Sequence, residues 1–441
     1  MKNLFLLFVL AALLGSCGKG GGLFSGKSKY GFESQPENMV WVPAGSFQMG
    51  SSDEDIMWAM NSTQKSKTID NFWMDATEVS NLEYRRFIGW VADSIARSIL
   101  AEASIEGFII EDDSEDAPAK PLLNWKTKIN IKKNEDHLDA LKNSTFFYSR
   151  EESLTGRRDI DTRRIMYEFE WIDLEQAARA KWDPAEEKYI GTVRNAQGEV
   201  EEIVDRSSFI MRDRIYIYPD TLCWIRDFQY SYNDPWASQY FSHPSYDQYP
   251  VVGITWKQAR AYAHWKSNFA TGKKYKKEYD PHAYRLPTEV EFEYAARGGL
   301  NGAMYPWGSP YVTNKHGCYL ANFKPQRGDY ALDGGARTMP TATYTPNDYG
   351  LYDMAGNVAE WVEDAYDENS YEFTHDLVPV YKRNAKESDH SSLKRKVVRG
   401  GSWKDVSYFI QCGSRSYDYQ DTAKSYIGFR TIRQILGTHN D

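Results

Sequence analysis

Four cysteines (Cys17, Cys223, Cys318, Cys412) and eight histidines (His137, His243, His264, His282, His316, His375, His390, His439) are the side chains of this 441-residue chain best suited to redox, nucleophilic or metal chemistry. The histidines show neither His-x-x-x-His nor His-x-His spacing, so no pair is set to close on one metal from a single helix or strand. His264 follows Ala263 on an expected helix and reads as a packed or surface residue. No Gly-x-Ser-x-Gly elbow, P-loop or dinucleotide fingerprint occurs. Four cysteines are too few for a disulfide scaffold in a chain of this length.

Cys17 stands apart from the other thiols. Before it, Lys2 supplies a basic start and Leu4–Leu14 an 11-residue apolar run. Such a run rises only about 16 Å as a helix, against roughly 30 Å of bilayer hydrocarbon. Residues 1–16 therefore read as a secretory signal peptide. Leu14-Gly15-Ser16-Cys17 resembles a bacterial lipobox, which implies cleavage before Cys17 and acylation of its thiol and amine. Several acyl chains on one residue exceed the two-signal threshold for stable anchoring. Residues 17–31, with six glycines after Cys17, read as a lipidated flexible tether. Gly18, in place of an Asp, points to the outer membrane. An exported compartment permits disulfides, but Cys223, Cys318 and Cys412 cannot all pair within one chain.

The elements that must position the remaining residues announce themselves by their caps. Ser80-x-x-Glu83, Thr255-x-x-Gln258 and Thr288-x-x-Glu291 are capping boxes. After the first, Tyr84, Phe87, Ile88, Val91 and Ile95 recur at helical spacing. Gly298-Gly299 should end the third helix. Short apolar strands are expected at Met39–Pro43, Ser46–Met49, Phe72–Met74 and Val397–Arg399. Residues 93–247 differ in character, with an acidic run at 111–116, charged helix-prone stretches such as 164–185, and an alternating run Phe209–Tyr218. From 300 to 430, Gly, Pro, Asn and Tyr predict loops around a small sheet. Aromatics make up 15% of the chain, including 31 Tyr and 14 Trp, which suits a loop-rich fold pinned by rings or a broad contact surface. With 53 Lys and Arg against 62 Asp and Glu, a net charge of −9 argues against nucleic acid as a partner.

Eight motifs in order carry a resemblance. They are Val42–Gly50, Asp75–Tyr84, Pro250–Trp256, Arg285–Glu289 with Tyr294–Gly299, Tyr305–Gly308, Asn347–Asn357, Arg399-Gly-Gly-Ser-Trp403 and Gly428-Phe-Arg430. Together they resemble the formylglycine-generating enzyme (sulfatase-modifying factor) family. The resemblance implies an α/β, C-type-lectin-like fold over residues 32–441, loop-rich with little regular secondary structure, and a large insertion at 93–247. Gly45, Gly50, Gly356 and Gly400-Gly401 would serve tight turns, and Pro287 a helix entrance. Enzymes of the family oxidise a cysteine with copper held by two thiolates, soft ligands suited to Cu(I). The positions that match that pair are Asp405 and Ile410 here, so the resemblance implies no catalytic residue, no catalytic cofactor and no enzyme activity. Structural calcium is the family trait that survives, since Ca²⁺ needs hard oxygen donors. One site maps onto Asn322, the Phe323 carbonyl and Asp333, the other onto Asp353, Glu360 and the carbonyls of Gly356 and Val358. Ala359 replaces a usual Trp, which removes a ring contact and no oxygen ligand.

The lipobox, the missing copper pair and the long insertion narrow the resemblance. Tyr218–Phe228 and Tyr249-Pro-Val-Val-Gly253 are similar to the GldK/PorK family of gliding-motility lipoproteins. That likeness implies an outer-membrane lipoprotein facing the periplasm, part of the type IX protein secretion machinery. It implies a ring built by self-association with a GldN/PorN-type periplasmic partner, linked indirectly to a GldL/GldM-type motor. Two other readings stay open at this point: an active formylglycine-generating-like oxidoreductase, and a peptidoglycan- or carbohydrate-binding lipoprotein.

Overall fold

The computed structural model describes residues 35–51, 62–110, 122–153, 158–228, 235–270 and 283–435. The expected signal peptide, Cys17, the tether and the acidic run at 111–116 lie outside the described residues. Among the described residues, no helix is long and apolar enough to cross a membrane.

All three capping boxes form. Ser80 opens the helix Asn81–Glu102, Thr255 the helix Trp256–Ala270 and Thr288 the helix Glu289–Arg297. In each, the hydroxyl accepts the N–H three residues on, and the carboxylate or amide there accepts the cap's own N–H at 2.7–2.8 Å. Two orphan donors are thus satisfied at each helix start. Gly298, at φ 59°, closes the third helix in the left-handed conformation that glycine adopts without penalty.

The first helix buries Tyr84, Phe87, Ile88, Val91, Ala92, Ala96 and Leu100, a stripe of helical period. That stripe packs on Ala259, Tyr262 and Trp265 of the second helix. The Tyr84 and Tyr262 rings stack at 5.7 Å, and Phe87 meets both edge-on. Each such fully buried large side chain contributes roughly 1.5–3 kcal/mol.

Two four-stranded sheets flank this core. One runs in the order Met39–Val42, Phe72–Asp75, Ile432–Gln434, Tyr284–Arg285, all antiparallel. The other runs Ser416–Tyr419, Arg395–Arg399, Ala359–Ala365, Ile427–Gly428, with only the last pair parallel. The α/β expectation holds as a mixture of helices and sheets; helices do not alternate with a parallel sheet. From Gly299 to Val358 the chain holds only turns, bends and isolated bridges.

The middle region is built into the main core. Residue 93 falls inside the first helix, and Phe108, Leu141, Phe146, Ile165, Tyr167, Phe169 and Ile217 return to the same cluster. Residues 164–185, read from their charge as helix-prone, fold chiefly as the strands Met166–Ile172 and Lys181–Asp183, with a short helix Leu174–Arg179 between. The cause is the alternation Tyr167-Glu168-Phe169-Glu170. Period two sends the rings inward and the carboxylates outward, and that pattern outweighs helix propensity. Ile210–Tyr216, inside the expected alternating run, pairs with this strand antiparallel, Asp213 opposite Phe169. Two small hairpins, Lys181–Asp183 with Lys188–Ile190 and Thr192–Arg194 with Val200–Glu202, stand beside it over their own cluster of Val193, Ile203, Phe209 and Met211.

Candidate functional site

The loop after Arg399 is where the resemblance places the family's chemistry. Arg399 is fully buried and donates to the Glu293 carboxylate and to the carbonyls of Cys412 and Ser414. Gly401, at φ 66°, lets the chain double back: a Cβ there would lie 2.5 Å from the Phe409 carbonyl oxygen. The fold thereby fixes Trp403, Asp405, Ile410 and Cys412. Asp405 caps its own turn, accepting from the Ser402 N–H at 3.0 Å and the Ser402 hydroxyl at 2.6 Å. Ile410 is wholly buried against Tyr305, Ala321, Phe323 and Ala355. At the two positions that the resemblance assigns to the copper pair, one side chain is therefore a turn cap and the other a core residue. Burial pushes the Cys412 thiol up to about 12, so it stays protonated at neutral pH. Cys223, likewise buried and pushed up to about 12, sits in another cluster, and Cys318 is exposed. All three are free thiols, which answers the pairing that sequence left open.

An aromatic cover lies over this loop. Trp403 stacks on Trp224 at 6.1 Å and meets Phe228 at 5.3 Å, both from the middle region. Trp224 in turn contacts Trp236 and Tyr240, and the Arg337 guanidinium lies over the Trp224, Phe228 and Trp236 rings. Asp227 pins the cover by accepting from the Ser425 N–H at 2.9 Å and its hydroxyl at 2.7 Å.

Beneath it lie the oxygen donors expected for calcium. Asp333 accepts from the Phe323 N–H at 2.6 Å and the Gly335 N–H at 3.2 Å, while burial holds its carboxyl above the usual range. The Asn322 amide nitrogen donates to the Arg337 carbonyl at 2.8 Å and to the Asn357 side chain at 3.2 Å. The Asn322 side-chain oxygen is left buried without a hydrogen-bond partner. Gly356, at φ 82°, allows the next turn to approach, since a Cβ would stand 2.3 Å from the Asn322 carbonyl oxygen. Asp353 accepts from the Ala342 N–H at 2.7 Å, and Glu360 receives the Arg430 guanidinium in a two-oxygen fork. Glu78, within the Asp75–Tyr84 motif and not singled out by its sequence, is buried beside them and accepts from the Asn357 amide at 3.0 Å. Burial, and then Asp353, push the Glu78 carboxyl up; burial also raises Asp353 and Glu360, each against the pull of Arg430. The only sequence signal for Glu78 was a carboxylate next to Val79 at the mouth of an apolar helix.

An orphaned buried amide oxygen and crowded buried carboxyls are groups that a hard cation or a shared proton would satisfy, and both Glu360 oxygens are already taken by Arg430. Among the described residues, no three His, Cys, Asp or Glu close into a compact cage. Backbone carbonyls such as those of Gly356 and Val358 would have to complete either shell.

Three comparisons bear on this arrangement. A family profile described as "Sulfatase-modifying factor enzyme 1-like domain" matches residues 28–435. The "Inactive C-alpha-formylglycine-generating enzyme 2" of Bos taurus is 34% identical over 189 residues, which is 42% of this chain and 50% of that protein, so this chain spans only half of that relative's length. The "Formylglycine-generating enzyme" of Mus musculus is 25% identical over 404 residues, 91% of this chain and 76% of the relative. Relatives named as active and as inactive thus both match. Among solved structures, PvdO from Pseudomonas aeruginosa aligns with a TM-score of 0.44 at 17% identity, covering 92% of this chain and 98% of that one.

Proposed function

We propose that this chain, which belongs to the sulfatase-modifying factor enzyme 1-like family, is a member without catalytic activity: a lipoprotein anchored through Cys17 at the periplasmic face of the outer membrane. There it serves as a scaffold of the type IX secretion machinery and of gliding motility, forming a ring with a GldN/PorN-type partner. The observation that carries the non-catalytic half is the pair of substitutions in the doubled-back loop. Asp405 is spent on Ser402 and Ile410 on the core, while Trp224 and Phe228 cover the neighbouring Trp403. A two-thiolate copper centre has no place there.

The scaffold half is supported by surface chemistry. A closed ring needs two different complementary faces on each subunit. The hairpins of the middle region expose Trp182, Ile190 and Val200, the loop after them exposes Val204, and a separate part of the chain exposes Tyr311, Phe373 and Leu377. Calcium at the Asn322–Asp333 and Asp353–Glu360 loops would stiffen the long irregular stretch from 299 to 358.

Gentle detergent extraction through the lipid anchor, followed by mass spectrometry and electron microscopy, tests the reading. A ring containing a second periplasmic protein is the expected result. A solitary chain, or conversion of a cysteine peptide to the aldehyde by the purified protein, overturns it.

A further inference from the structure

Asn301-Gly302 is the only Asn-Gly step in the chain. It lies on an exposed turn just past the helix Glu289–Arg297. Gly302 takes φ 72°, and a Cβ built on it would meet nothing within 4 Å. Among the described residues, the Gly302 N–H has no backbone acceptor. The Asn301 side-chain oxygen accepts the Gln48 N–H at 3.4 Å, which polarises its carbonyl. An unshielded main-chain nitrogen thus follows a polarised side-chain amide. Two other asparagines lack part of this arrangement. Asn195 precedes Ala196 and has its oxygen held by the N–H groups of Gln197 and Glu199, at 3.1 and 2.9 Å. Asn369 precedes Ser370, whose N–H is already donated to the Asp367 carbonyl at 3.2 Å.

We infer that Asn301 is a site of spontaneous deamidation, with water as the co-reactant. Asparagine is thermolabile, and a following glycine removes the side chain that would shield the attacking nitrogen. The Gly302 nitrogen, having lost its proton, attacks the Asn301 side-chain carbonyl carbon. The new C–N bond closes a cyclic imide, and the side-chain nitrogen leaves as ammonia. Water then opens the imide, and nothing is oxidised or reduced. Opening at the side-chain carbonyl leaves Asp. Opening at the main-chain carbonyl leaves isoaspartate, whose backbone is longer by a methylene. The longer form matters because the turn is tied at both ends. The Leu300 N–H donates to the Arg297 carbonyl at 3.0 Å. Arg297 donates to the Ala303 carbonyl at 2.8 Å while also holding Glu293 and the Gly50 carbonyl. Next along, the Met304 carbonyl accepts the Cys412 N–H at 2.8 Å. An added backbone atom between Leu300 and Ala303 pulls against these bonds, so isoaspartate loosens the packing over the buried Cys412 thiol.

The test incubates the purified full chain at pH 6 and at pH 8, native and denatured, and compares wild type with Asn301→Gln. Trypsin then releases residues 298–315, and fragment mass spectrometry reads the exchange of NH for O at position 301. In the native wild type, conversion at Asn301 is expected to lead that at the other described asparagines. It should run faster at pH 8, because the attacking nitrogen must lose its proton. Asn301→Gln should lose the conversion at this position, since its longer side chain closes a less favourable ring. Native labelling of Cys412 by iodoacetamide should rise with the isoaspartate fraction in wild type and stay flat in Asn301→Gln. A native chain that keeps Asn301 intact while the denatured chain converts it overturns the site. Conversion to isoaspartate without added labelling of Cys412 overturns the link to the loop.

Discussion

Trp224 and Trp403, 179 positions apart in the chain, stack with their ring centres 6.1 Å apart and their planes 21° from parallel. The contact joins the middle region to the Arg399–Trp403 motif, so the one covers the other. Replacing Trp224 by Ala removes a buried ring that also touches Trp236 and Tyr240. A loss of about 3–5 kcal/mol is expected from chemical denaturation. Uncovering the loop should confer no thiol-oxidising activity, because Asp405 and Ile410 still stand where thiolates would be needed.

The Glu360–Arg430 fork is the second quantity to measure. Both side chains are fully buried, and Arg430 also reaches the carbonyls of Asp75, Ala76 and Tyr352. Arg430→Met leaves Glu360 among Glu78 and Asp353 with no counter-charge. A cost of about 3–5 kcal/mol is expected, since one partner of a buried pair is left uncompensated. Glu360→Gln with Arg430→Met should recover part of it, which a double-mutant cycle reads directly.

Much of this architecture was legible in the sequence because its causes are local. A capping box needs only residues three apart, and Ser80, Thr255 and Thr288 each formed one. The strands Met39–Val42 and Phe72–Asp75 lie within one residue of their expected ends. Local charge misled at 164–185, where a two-residue alternation of rings and carboxylates outweighed helix propensity. Glu78 was invisible for a different reason. Its meaning comes from Asn357 and Asp353, nearly 280 positions away, and only tertiary contact reveals a buried carboxyl set against another.

Lys396 predicts a pH dependence. Its ammonium is buried, donates to the Arg383 carbonyl at 2.6 Å and lies 3.6 Å from the centre of the Trp256 ring. Burial lowers its pKa from 10.5 to about 7, helped by Arg260 and Lys382 and opposed by Glu363 and Asp364. Above pH 7 the folded chain has released this proton while the unfolded chain still holds it. Stability should therefore rise with pH from 7 towards 10, and fall back as pH drops to 7. Lys396→Met removes the group, and its stability curve between pH 7 and 9 should be flatter than wild type by up to about 1.4 kcal/mol per pH unit. Asp364, pushed up to about 7 by burial and Glu289, acts mainly below this window.

The thiols should sort by exposure. Cys318 lies on an exposed turn, whereas Cys223 and Cys412 are buried and held protonated. Iodoacetamide at pH 8 should add one label to the native lipoprotein, at Cys318, since acylation blocks the Cys17 thiol. Denaturant should then expose two more. Rapid native labelling of Cys412 would mean that the doubled-back loop opens in solution.

The exposed hairpins supply the last test, which separates assembly from folding. Trp182 and Val204 border a groove of about 640 Å³ with Tyr189 and Arg206, and Val204 is 77% exposed. Side chains this exposed contribute little to the fold, and changing Val204 to Asp should alter stability by no more than about 0.5 kcal/mol. Trp182 touches Tyr189, so Trp182→Ser costs somewhat more but stays outside the main core. If this apolar surface is one face of a ring contact, a charge at 204 must be desolvated at every subunit junction. The penalty then repeats around the ring while the isolated subunit scarcely feels it. Val204→Asp should therefore leave the melting temperature unchanged and shift the detergent-extracted complex to smaller species in electron microscopy. Rings of normal size from the variant would show that the contact lies elsewhere on the molecule.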